Sequence, residues 1–136
     1  MPGPNTLPIA VGTLKNGQAI VSALNAARDG SGTLVTLYTA GTAGALIPRV
    51  MASHQGAAGA ASTAMALRLF RVNKGATVKT LISEVLLPAA TPSTTVLGAS
   101  VTFPKINITL ADSEVLAVAQ TAAESVAYDC DQGGDY

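Results

Sequence analysis

Charge is scarce in this chain of 136 residues. Eight basic side chains cancel eight acidic ones, and together they form 12% of the sequence, about half the charged share of an average soluble domain. A neutral chain lacks the basic field that nucleic-acid binding needs, so no nucleic-acid partner is expected. It also lacks the like-charge repulsion that keeps copies apart. Tryptophan is absent, and the rings are limited to Tyr38, Phe70, Phe103, Tyr128 and Tyr136. That is a poor supply for a carbohydrate-binding module, which presents exposed aromatics to sugars. Cys130 is the lone cysteine. An intramolecular disulfide is therefore excluded, which favours assembly in a reducing cytoplasm over a small disulfide-stapled secreted module. No stretch of 18 apolar residues occurs, so no membrane partner is expected. Residues 1–5 have no basic stretch leading into an apolar run and do not read as a signal peptide.

What remains is small and apolar. Hydrophobic residues make up 49% of the chain, supplied by Ala, Val and Leu rather than by rings. The length fits one domain with a real core, able to bury roughly two-thirds of the surface its unfolded chain exposes. A sparsely charged, alanine-rich surface suits a subunit covered by neighbours.

Turn signals divide the chain about every ten residues. Residues 1–17 carry Pro2, Pro4, Pro8 and the pair Asn16-Gly17, and read as an extended arm. In this arm Pro4, Leu7, Pro8, Ile9 and Val11 are the candidate contacts with a neighbouring subunit, since alternate apolar positions suit an added edge strand. Residues 18–136 then form a single β domain. Residues 18–25 are a short apolar segment, followed by the dense turn Arg28-Asp29-Gly30-Ser31-Gly32. Residues 33–39 are β-branched and aromatic and read as a strand. Residues 45–54 read as another, with Pro48 making it an edge strand or marking a bulge. Residues 63–72 and 77–87 flank Asn73-Lys74-Gly75 and form the best hairpin in the chain. Strands are further expected at 94–103, 107–110, 114–120 and 125–130, followed by a polar tail. Alanine favours helix at 18–27 and 56–66, but neither segment sustains a capped 3.6-residue stripe. Eight or nine short strands so spaced predict an all-β domain, a sandwich or barrel.

Catalytic chemistry finds little footing. His54 is the only histidine, so any Ser–His–Asp triad would have to use it, and there is no G-x-S-x-G elbow. Cys130 lies between Asp129 and Asp131, whose charge disfavours a thiolate. Asp129, Asp131 and Asp135 echo a calcium loop, but the glycine is off position and the chain ends before the twelfth-position glutamate. Arg68, Arg71, Lys74 and Lys79 form a local basic cluster without interleaved aromatics, the pattern of a solvated strand end. No catalytic residue, cofactor or metal is expected, and the chain reads as a non-enzyme.

Two segments look like a known family. Residues 28–44, Arg-Asp-Gly-Ser-Gly-Thr-Leu-Val-Thr-Leu-Tyr-Thr-Ala-Gly-Thr-Ala-Gly, resemble a D-G-x-G-T-L turn-strand followed by T-A-G-x-x-G in small virion proteins of tailed bacteriophages. An apolar strand with an arginine follows, here Ile47-Pro48-Arg49-Val50, then Leu67-Arg68-Leu69-Phe70, Glu84-Val85-Leu86-Leu87-Pro88, and the ending Gly133-Gly134-Asp135-Tyr136. The chain is less charged and less aromatic than that pattern, with a Gly-Ala insertion near 55–61. The resemblance implies a jelly-roll-like β-sandwich that decorates and cements a phage capsid. It would be a homo-oligomer, preferably a trimer, bound to the major capsid protein across neighbouring capsomers. The expected location is the virion surface, after assembly in the host cytoplasm. A tail, fibre or head–tail connector component is the alternative, and a carbohydrate-binding module the third reading.

Overall fold

The computed structural model describes residues 12–56, 59–130 and 133–136. Among these residues there is no helix, and twelve strands form three antiparallel four-stranded sheets. Neither alanine-rich segment is helical at its described residues, because helix propensity without a sustained apolar stripe is too weak to hold a helix there.

The longest elements are the expected hairpin, β6 (Met65–Val72) and β7 (Lys79–Leu87). Its turn is tied by Asn73, whose Oδ1 accepts from the amides of Thr77 at 2.8 Å and Val78 at 3.0 Å. Ala76 sits there at φ 56°, in the left-handed region. β10 (Val115–Gln120) pairs with β6, and β3 (Val35–Thr39) pairs with β10, which gives a sheet ordered β3-β10-β6-β7. Two faces of this sheet are buried. Met65, Leu67, Leu69, Leu116 and Val118 enter the main core. Phe70, Val72, Ala117 and Ala119 are buried outside that cluster. Residues 22–34 cover them. This segment is pinned by the Asn25 amide donating to the Gln120 carbonyl at 2.8 Å, by Arg68 Nη1 donating to the Ala26 carbonyl at 2.9 Å, and by the Arg28–Glu84 ion pair. We call this the covered sheet.

The second sheet is ordered β2-β11-β5-β8, from β2 (Gly17–Val21), β11 (Val126–Cys130), β5 (Met51–His54) and β8 (Ser100–Thr102). Its buried side chains Val21, Ala52, Val126, Tyr128 and Cys130 join the same core cluster. We call it the open sheet. β2 lies beside β3, and β7 beside β8, so the edges of the covered and open sheets adjoin.

The third, short-strand sheet is ordered β1-β12-β4-β9, from β1 (Thr13–Leu14), β12 (Gly134–Asp135), β4 (Ala45–Ile47) and β9 (Ile108–Leu110). Each of its strands is joined by a few residues to the strand at the same position in the open sheet: β1 to β2, β12 to β11, β4 to β5, β9 to β8. The linking residues include Pro48, Pro104 and Gly133.

Four details differ from expectation. Residues 45–54 form two strands, both interior to their sheets, so Pro48 marks a break and not an edge. Proline has no amide to give, and the chain bridges the gap through carbonyls instead, with Asn107 N donating to Pro48 O at 2.8 Å and Phe103 N to Val50 O at 2.9 Å. Of residues 94–103 only 100–102 are strand, because Ser93 Oγ accepts from the amides of Thr95 and Val96 and holds a turn there. The polar tail contains β12. Finally, the paired domain starts before residue 17, since β1 pairs with β12 and Lys15 N donates to Gly133 O at 3.0 Å. Gly134 makes this possible: a Cβ there would stand 2.0 Å from the Thr13 carbonyl oxygen.

Candidate interaction face

Strand alternation sends odd and even residues to opposite faces. On the open sheet, Ala19, Tyr128, Ala52 and Val101 form one inward row. The outward rows are Gln18–Asp129–Met51–Thr102 and Ile20–Ala127–Ser53–Ser100. With Gln55 they line a broad concavity of about 890 Å³. The side chains are small, apart from Met51 and the 62% exposed Ile20. No segment corresponding to 22–34 covers this face among the described residues.

Asp129 is distinctive here. Six of the seven described carboxylates have partners. Asp29 accepts from Ser31, Glu84 pairs with Arg28 and Arg68, and Asp112 pairs with Lys74 at 3.0 Å. Glu114 caps the Ala111 amide, Glu124 accepts from Thr63, and Asp135 accepts from Tyr38 Oη at 2.9 Å and the Gly41 amide at 3.2 Å. Asp129 has no polar partner among the described residues, and it stands in the concavity.

The face rests on a buried polar group. Gln120 is fully buried. Its Nε2 donates to the carbonyls of Val21 at 3.3 Å, Ala122 at 3.0 Å and Glu124. Its Oε1 accepts from Tyr128 Oη at 3.0 Å. Burial pushes the Tyr128 phenol well above its ordinary pKa, so it stays a neutral donor. This one side chain ties the covered sheet to β2 and β11.

No protein family, curated protein or solved structure matches the chain.

The other sequence candidates fall as follows. The arm contacts Pro4, Leu7, Pro8, Ile9 and Val11 lie outside the described residues. His54 is not a surface residue: its side chain is 4% exposed, with Nε2 3.9 Å from Glu124 Oε2 and Nδ1 without a hydrogen-bond partner. The Cys130 thiol is buried and donates to the Gly17 carbonyl at 3.4 Å. His54 pairs with Val126, four residues from Cys130 on β11, which separates the two by about 13 Å along the strand. They do not form a nucleophile–base pair. Asp129 and Asp135 belong to different sheets, Asp131 lies outside the described residues, and no metal-holding group of three side chains occurs among the described residues. Arg68 is a correction to the solvated basic cluster. It is 7% exposed, and its Nε bonds Glu84 at 2.9 Å. Sequence reading missed the open face, because its rows come from four strands spread over residues 18–129 and no local pattern records their alignment.

Proposed function

We propose that this chain is a structural virion protein that decorates and stabilises a tailed-bacteriophage capsid by binding across neighbouring capsomers. The observation that carries the reading is the strand order. If the short-strand and open sheets are one bent sheet, the twelve strands reduce to eight: 13–21, 35–39, 45–54, 65–72, 79–87, 100–110, 115–120 and 126–135. Numbered in chain order, one sheet then runs 1-8-3-6 and the other 2-7-4-5. That order is the one a jelly roll would have, and it supports an architecture of two Greek keys of the kind used by viral capsid and lectin domains. The neutral, sparsely charged composition supports a subunit that ends up covered, and exposed Leu14, Ile20, Leu86, Leu97 and Ile106 supply apolar contacts. The motifs at 28–44 and 133–136 point to the phage virion. In this reading the partners are further copies, as a trimer, and the major capsid protein. Attachment covers on the order of 1,000 Å² or more per contact.

The test is co-sedimentation of the purified chain with phage capsids stripped of decoration, with a particle reconstruction to locate the added density. Saturable binding at capsid symmetry axes is expected. Absence of binding, or density only on the tail, would overturn the capsid assignment.

A further inference from the structure

We infer that one end of the domain, formed by residues 22–25, 55–56, 59–64, 88–99 and 121–125, packs against the same end of further copies of this chain around a symmetry axis. This rests on the self-assembly in the proposed function and names the surface that produces it.

Strand register brings these segments together. Val126 lies opposite both Val21 and His54, and Ser53 opposite Ser100, so β2, β11, β5 and β8 reach this end side by side. Met65 lies opposite Leu87, and Gln120 opposite Leu67, so β6, β7 and β10 reach it on the covered sheet. The connections are then tied to one another. The Ser22 and Ser125 hydroxyls bond at 3.2 Å, and the Gln55 amide donates to the Ser125 carbonyl at 2.9 Å. Thr63 donates its amide and hydroxyl to the Glu124 carboxylate. The Gly59 amide donates to the Pro92 carbonyl at 2.6 Å, and the Ser62 amide to the Ala90 carbonyl at 2.7 Å. Ser62 Oγ accepts in return from the Ala90 amide at 3.0 Å. These ties fix the surface before any contact is made, so association loses little ordering entropy.

Charge singles this end out. Glu124 is the one charged residue in these segments. It is turned onto Thr63, with His54 Nε2 3.9 Å away. Every other side carries outward charge: Asp129 on the open face, Arg28 and Lys79 on the covered side, Lys74 and Asp112 at the opposite end, and Lys15 beside the short-strand sheet. Here Leu97 at 90%, Leu24 at 57% and Val96 at 53% exposure stand out from Ala, Gly, Ser and Thr. Nineteen residues of these segments are exposed, close to the roughly 20–30 a side of a standard interface. The segments hold no cation and no aromatic ring. Nothing here neutralises the phosphates of a nucleic acid or lipid surface, or stacks on a sugar. In a closed assembly, residues near the axis meet their own copies, and a charge there would face a like charge. An end without outward charge meets its own image free of that cost, and its exposed leucines and valine leave water.

A charge placed on this surface tests the inference. Leu97→Lys, Leu97→Asp and, at the opposite end, Val78→Lys are compared with the parent chain by light scattering over a concentration series. Far-UV circular dichroism checks that each is folded, and capsid co-sedimentation is run alongside. Each Leu97 variant alone is expected to associate about tenfold or more weakly, because like charges meet. An equal mixture of the two is expected to recover association, because unlike charges then meet. Val78→Lys should associate like the parent, and added salt should leave the parent's association intact. Leu97 variants that associate like the parent overturn the contact, as do a mixture that stays dissociated, an equal loss in Val78→Lys, or a parent dispersed by salt. Leu97 variants that lose only capsid binding also overturn it, since this end would then face the shell. A parent chain that is monomeric yet binds capsids overturns it too, while leaving capsid decoration standing. Self-association that both Leu97 changes weaken, without capsid binding, has the opposite meaning: the contact survives and the decoration reading fails.

Discussion

Gln120 offers the sharpest energetic test, because one buried side chain serves four partners. Tyr128→Phe removes the donor to Gln120 Oε1. That leaves a buried acceptor unsatisfied, at a cost of about 1–2 kcal/mol. Gln120→Met keeps the volume and removes every polar atom. The Tyr128 hydroxyl and the carbonyls of Val21, Ala122 and Glu124 then lose their partner, at about 3 kcal/mol or more. In the double variant the phenol is gone, so it has nothing left to orphan. The double loss is therefore expected to fall short of the summed single losses by about 1 kcal/mol. For a domain of this size about 1 kcal/mol moves Tm by roughly 3–4 °C. Thermal and urea denaturation of the four proteins give the cycle. Additivity within about 0.5 kcal/mol, or a Tyr128→Phe variant as stable as the parent, would refute the network as a coupled unit.

Further outcomes are expected elsewhere in the fold. Ala76→Gly relieves a left-handed alanine and should raise stability by about 0.5–1 kcal/mol, read from the urea midpoint. Asp135 is partly desolvated, which opposes ionisation, but hydrogen bonds from Tyr38 and Gly41 and the nearby Lys15 charge outweigh this and hold its pKa below the ordinary 3.8. A carboxyl depressed on folding stabilises the native state above its unfolded pKa, and that stability is lost as pH falls through the folded value. Acid titration below pH 3.8 should therefore loosen the β1–β12 pairing, and Asp135→Asn should flatten that part of the stability profile; an unchanged profile would remove Asp135 from the account. Deleting residues 1–11 should leave the β domain folded by circular dichroism while weakening capsid co-sedimentation, and undiminished binding would discard the arm as an attachment device.

The sequence made local features legible and non-local ones obscure. The β6–β7 hairpin could be read because its turn chemistry and alternation lie within 25 residues. The all-β class followed from turn spacing in the same way. Thr13–Leu14 and Gly134–Asp135 carried no strand signal, since two-residue strands have no periodicity and each exists only because the other lies beside it. Pro48 announced an irregularity, but whether its strand was edge or interior depended on residues 108–110 and 134–135. Phe70 is buried because the 22–34 segment folds over that side of the sheet, and nothing within its own strand records this. The lone Asp129 was legible only as part of a calcium-loop echo. Its isolation appears when the other described carboxylates have found their partners.

The position of β11 between β2 and β5, and of β12 between β1 and β4, also sets an order of events. Cys130 meets Gly17 across a sequence separation of 113. During synthesis the hairpin at 65–87 can form as soon as it emerges, but β1 and β2 have no strand partner, and β4 and β5 lack one of their two, until β11 and β12 are made. Until then, these strands present free backbone amides and carbonyls to any other copy nearby. A chain made in quantity thus passes through a stage in which exchange of β11 and β12 between copies competes with its own closure.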